Sequence, residues 1–180
     1  MLTISIPERE LFDEASGEFI NVKAQNLVLE HSLVSISKWE AKWCKPFISK
    51  DQRTNEEVMD YVRCMTITPN VDPMVYKVLT PENLKTINEY IDAPMTATWF
   101  SEDKNRKINR EVITSELIYY WMVALQIPFE CQKWHLNRLL TLVRICNIKN
   151  QPPKKMSKRD IMSRNRSLNA ARRAASGSKG

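Results

Sequence analysis

The stretch EVITSELIYYWMVALQIPFECQKWHLNRLLTLVRICNIK, Glu111–Lys149, decides the fold class. It reads as two amphipathic helices about one break. Leu117, Ile118, Trp121, Met122 and Leu125 recur at three- and four-residue steps and predict a helix over 115–126. Thr114 or Ser115 caps it, since either hydroxyl can accept from an orphan N–H of the first turn. Pro128 lacks an N–H, so it ends that helix or opens the next. A second helix is predicted over 129–148, with Leu136, Leu139, Leu140, Val143 and Cys146 as its apolar stripe and Trp134 near its start. Lys133, Arg138 and Arg144 lie largely off the stripe. Faces this apolar belong in the domain's own core or against another helix.

Toward the N-terminus the period changes. Leu2–Ile6 alternate apolar and polar, as a half-buried strand does, and Pro7 stops them. Glu14-Ala-Ser-Gly17 separates two short apolar-bearing runs, a hairpin signal in which Gly17 supplies the turn. Residues 26–30 read as a further strand. Leu33, Ile36, Trp39 (or Glu40) and Trp43 then place a helix over 31–44, closed by Pro46. Thr54-Asn-Glu-Glu57 is a capping box, starting a helix that carries Val58, Tyr61, Val62 and Met65. Thr66–Pro73 reads as a turn region. Thr80-Pro81 starts another helix with Leu84, Ile87 and Ile91 on its stripe, ended by Pro94. Met95–Phe100 alternate weakly and read as a short strand, and Ser101–Arg110 as an exposed loop.

The expected architecture is therefore α+β and predominantly helical. A small N-terminal β-hairpin element, residues 1–30, forms one globular unit with a helical bundle, 31–150. A basic C-terminal tail, 151–180, follows Pro152-Pro153. A capping pattern, Ser157-Lys-Arg-Asp160, marks a tail helix over 158–175, whose apolar side is thin enough that the alternative is disorder.

The chain has 180 residues, 43% hydrophobic and 27% charged, the composition of a soluble globular protein. No apolar run reaches membrane-spanning length, and MLTISIPERE is too short and too acidic for a secretory signal, which predicts a cytoplasmic protein. Of 27 basic residues nine, and of 21 acidic residues one, fall in 151–180. That segment carries +8 and residues 1–150 carry −2. The basic character belongs to the tail. Only three glycines occur, at 17, 177 and 180, which excludes glycine-rich phosphate loops.

Cys44, Cys64, Cys131 and Cys146 form no C-x-x-C pair and read as reduced, packed thiols. Cys131 and His135 are one helical turn apart, yet zinc needs three or four ligands and no recognised ligand spacing occurs. Glu57 and Glu116 sit near helix starts, where a carboxylate suits the dipole. No Ser–His–Asp or Cys–His arrangement is readable, so the expectation is a non-enzyme without metal or cofactor. Tyr119, Tyr120 and Trp121 are consecutive, and at about 100° per residue they cannot all face one core. Tyr120 is the one expected to face a second packing surface or a partner. In the tail, Lys154, Lys155, Lys158, Arg159, Arg164, Arg166, Arg172 and Arg173 can neutralise phosphates, bind an acidic protein surface, or simply solubilise the chain. The tail has no aromatic residue on which single-stranded bases could stack.

Three runs resemble a known family: LEHSLVSISKWEAKWCKPF (29–47), INEYIDAPMTATWF (87–100) and ITSELIYYWMVALQIPFECQKWHLNRLLTLVRICNIKNQPPKKMSKRD (113–160). Together they resemble the tail assembly chaperones of long-tailed, siphovirus-type bacteriophages. The resemblance implies a non-virion protein of the infected host's cytoplasm. Its partner would be the tape measure protein, which such chaperones keep soluble while tail-tube subunits polymerise around it. It also implies possible self-association and a longer frameshifted form of the chain, with which the end Ser176-Gly-Ser-Lys-Gly is compatible. Under that reading, grooves near Tyr119, Tyr120 and Trp134 take client helices and the basic tail adds electrostatic reach. Two competing expectations are a nucleic-acid-binding accessory protein acting through the tail, and a structural virion component such as a head–tail connector.

Overall fold

The computed structural model describes residues 1–13, 17–49, 52–100, 111–151 and 157–177. The chain begins with a β-ribbon. Strand β1 (Leu2–Ile6) pairs antiparallel with β4 (Gln25–Leu29), and β2 (Arg9–Asp13) pairs antiparallel with β3 (Glu18–Val22). The two ladders share one register: Leu2 faces Leu29, Ile6 faces Gln25, Arg9 faces Val22 and Asp13 faces Glu18, so partner numbers always sum to 31. Pro7, with no N–H to give, interrupts what is otherwise a single hairpin. Gly17 supplies the left-handed residue near its tip, at φ +70°.

The buried face changes across that interruption. Ile4, Ile6, Leu27 and Leu29 are buried in the outer ladder. In the inner ladder Val22, which has the opposite parity, is buried. Phe12 and Phe19, a cross-strand pair, are thereby turned outward. The free edge of β4 is covered by the segment after the second helix: Ile67 N–H donates to the Val28 carbonyl, and Thr68 Oγ1 accepts from Val28 N–H at 2.8 Å.

Helices follow as their caps dictate. Ser32 caps α1 (Leu33–Trp43), with Ser35 reciprocating, and the helix ends in a left-handed Cys44. Thr54 and Glu57 form the expected capping box at the start of α2 (Asn55–Met65). Thr80 caps α3 (Pro81–Asp92), and Thr114 caps α4 (Ser115–Ala124). The indole N–H groups of Trp39 and Trp43 donate across to α2, to the Glu57 carbonyl at 2.9 Å and to Asp60 at 3.0 Å. Their one-turn spacing therefore bolts α1 to α2. Leu33, Ile36, Met65, Ile118, Met122 and Leu139 form the centre of the core, all fully or almost fully buried. Glu40, buried at the end of α1, accepts from Phe47 N–H and from Ser115 N–H, each at 2.7 Å. One carboxylate thus fixes both the loop after α1 and the positive end of α4.

Two expectations are corrected. The helix predicted over 129–148 is broken: a 3-10 turn covers Phe129–Lys133, Trp134 is extended, and α5 runs Leu136–Asn150. The reason is tertiary. His135 forms a β-bridge with Ser32, and Leu136 N–H donates to the His31 carbonyl at 2.8 Å, so the backbone leaves the helix to pair with the approach to α1. Met95–Phe100 is no strand, because Met95 is left-handed at φ +48° and Thr98 N–H folds back onto Thr96 Oγ1. Just after the predicted turn region, where no element was expected, Asp72 caps a 3-10 turn, Pro73–Val78. The loop expected over 101–110 lies outside the described residues.

The chain divides into two compact units, Met1–Asn147 and Ile148–Gly180. The second contains α6 (Lys158–Ser176), started by Ser157 and ended at a left-handed Gly177, with every residue exposed. The fold is α+β and predominantly helical. All four cysteines are free thiols. Among the described residues no helix is long and apolar enough to cross a membrane.

Candidate partner-binding site

Beneath a cleft between α2 and α3 lies a polar seam built by the ends of several elements. His31, just before α1, receives or gives a hydrogen bond at Nδ1 with the Tyr61 hydroxyl. His135 packs edge-on to His31, ring centroids 5.0 Å apart, and edge-on to Tyr90 at the same distance. His135 Nε2 lies 3.0 Å from the Tyr90 carbonyl, and its Nδ1 accepts from Asn137 N–H at 3.3 Å. That pattern sets the neutral tautomer with the proton on Nε2, because a proton on Nδ1 would face another N–H. The Tyr90 hydroxyl donates to Glu30 at 2.7 Å.

Burial governs the protonation of this seam. Desolvation, then the neighbouring His135 and Arg53, holds the His31 pKa down at about 3. Desolvation also lowers His135 and raises the hydroxyls of Tyr61 and Tyr90. Both imidazoles are neutral at pH 7 with their bonded nitrogens committed to protein groups. His135 thus has no nitrogen to spare for a metal beside Cys131, whose thiol is pushed up by burial.

The cleft encloses about 420 Å³. Val58 and Val62 of α2 form one wall and Leu84, Ile87 and Ile91 of α3 the other, with His31 and Tyr61 at its lining. Within each helix these apolar residues are spaced three or four apart, so each helix presents one apolar ridge to the cleft. Arg53 sits in the same lining, its guanidinium 4.0 Å from the Phe47 ring centroid and bonded to the Phe47 carbonyl. Cleft size and lining suit one or two apolar side chains of a bound polypeptide.

The sequence-predicted residues are dispersed. Tyr119 is half-buried; its hydroxyl donates to Gln132 at 2.9 Å, and its ring lies 6.4 Å from that of Phe129. Tyr120 is 65% exposed, as expected of the residue left over from three consecutive rings. Val123, one turn on, and Phe129 are also exposed, so α4 and the following 3-10 turn present apolar surface together with Tyr119. Trp134 is half-buried under the guanidinium of Arg138, 4.2 Å from its ring centroid. Lys158, Arg159, Arg164, Arg166, Arg172 and Arg173 all lie on α6, whereas Lys154 and Lys155 lie outside the described residues. Sequence reasoning missed the α2–α3 cleft, whose two stripes look like core. It also missed the outward pair Phe12–Phe19, rings 5.1 Å apart and exposed by 55% and 72%. The hairpin that carries the pair was readable, but the outward direction of its rings was not.

Compared with known protein families, with curated proteins and with solved structures, the chain matches none.

Proposed function

We propose that this chain is a non-catalytic polypeptide holder, a tail assembly chaperone of the long-tailed phage type. It binds the tape measure protein, keeps that long helical client soluble, and assists tail-tube subunits in polymerising around it. The observation that carries this reading is the apolar surface of Tyr120, Val123 and Phe129, which no other described element covers to below half exposure. A large exposed ring beside aliphatic neighbours favours an amphipathic helix, because rings bury area with little loss of side-chain entropy. The α2–α3 cleft offers a second anchor for the same kind of client. The protein acts in the host cytoplasm and is left out of the finished particle.

Co-expression with the tape measure protein tests the proposal. The soluble fraction of the client should rise with the intact chain and fall back with Tyr120→Asp plus Val123→Asp. Unchanged client solubility with the intact chain would falsify the reading. Mass spectrometry of purified particles separates a chaperone, absent from them, from a head–tail connector, present at fixed copy number.

A further inference from the structure

The second unit carries a surface apart from the α4 face proposed to hold the client. Helix α6 has six cations and one acid, a net +5 over 19 residues, and none of its residues is buried. These charges are sorted. At about 100° per residue, Lys158, Arg159, Arg166, Arg172 and Arg173 fall within an arc of about 140°. Asn165 and Asn169 lie in the same arc, and Met162 lies near its middle. The acid, Asp160, is outside it. The sixth cation, Arg164, also lies outside it, one turn on from Asp160, and the rest of the surface is apolar or small: Ile161, Leu168, Ser163, Ser167, Ala170 and Ala174.

We propose that α6 is a DNA-docking helix whose arginine–asparagine face enters the major groove of a duplex. Five cations on one face suit two converging phosphate rows. Arginine and asparagine are the side chains that pair bidentately with guanine and adenine edges, and Met162 between them offers apolar contact to a thymine methyl. An acidic protein surface would use the cations but has no call for two amides among them. A lipid surface would demand bulkier apolar residues opposite the charges than Ala and Ser. The face has no ring for stacking on single strands, and the deep, narrow major groove of duplex RNA does not admit a helix. A helix with no buried residue is marginal alone, so contact with the duplex also completes its folding.

The test uses the full-length chain with a fluorescein-labelled 20-base-pair DNA duplex in anisotropy titrations. Affinity should fall roughly 10²–10³-fold between 50 and 200 mM salt, as release of about five counterions requires. Two variants then add the same charge to opposite sides of α6. Met162→Glu should weaken binding at least tenfold, whereas Ser167→Glu should change it less than threefold. Asn165→Ala with Asn169→Ala should lower affinity at unchanged salt slope. Circular dichroism reads α6 helicity in every variant, so a loss of binding with a melted helix is recognised, and Arg166→Gln with Arg173→Gln then serves as the milder replacement. Equal losses for Met162→Glu and Ser167→Glu, or tighter binding to poly-glutamate or to anionic vesicles than to the duplex, would overturn the proposal.

Discussion

His31 and His135 stand edge to face in the core, 5.0 Å between ring centroids, and neither carries charge at pH 7. Each belongs to a different end of the chain, and the backbone around them is joined by the bond from Leu136 N–H to the His31 carbonyl. The neutral pair is a condition of that joint. Below the unfolded histidine pKa of about 6.5 the unfolded chain takes up protons that the folded chain refuses. Stability is therefore complete above that pH and is lost as pH falls toward the His31 value of about 3. At about 1.4 kcal/mol per unit, the loss between pH 6.5 and 4 amounts to a few kcal/mol. Urea midpoints measured across this window should fall steadily, and His31→Gln should flatten the slope. A midpoint constant from pH 7 to pH 4 contradicts the account.

Glu40 supplies the second joint. Its two oxygens satisfy Phe47 N–H and Ser115 N–H, and both donors are buried with it. Glu40→Ala strips both at once, and we expect a cost of about 2–4 kcal/mol in urea unfolding. Glu40→Gln, which keeps one acceptor oxygen, should recover part of it.

Tyr120 makes the opposite prediction. Its ring is 65% exposed, so Tyr120→Ser should move stability by no more than about 0.5 kcal/mol. By contrast Met122, two residues on and fully buried, should cost about 2–5 kcal/mol when replaced by alanine. Client solubilisation should follow the reverse order once the folded fraction is accounted for. If Tyr120→Ser proves as destabilising as Met122→Ala, the outward placement of Tyr120 is wrong.

Removal of residues 152–180 should leave the first unit intact, because that unit closes at Asn147. The truncated chain should melt within about 2 °C of the full one, no more than a change of about 1 kcal/mol would produce in a domain of this size. DNA affinity should vanish with the same cut, while client solubilisation persists through the α4 surface.

Local chemistry was legible where it is decided locally. The caps at Thr54, Thr80 and Thr114 were readable because a hydroxyl and its target N–H lie within one turn. The leftover ring at Tyr120 followed from the angle between neighbouring residues alone. Failures occurred where distant chain decides. The interruption at Trp134–His135 depends on Ser32, and nothing in residues 129–148 encodes that partner. The outward turn of Phe12 and Phe19 depends on how the ribbon rotates at Pro7 to bury Val22. The α2–α3 cleft was invisible because an apolar stripe is spelled alike whether it is covered or left open.

The reach of Glu40 to Ser115 spans 75 positions, and Ile118 and Met122 lie beyond it. A ribosome adding about 5–20 residues per second therefore needs roughly 4–15 s to deliver α4 after α1 has emerged. Throughout that interval the part of the first helix that α4 will cover stays open to solvent, and the nascent polypeptide is itself a candidate for folding helpers. A molecule proposed to shelter others begins each lifetime in need of shelter.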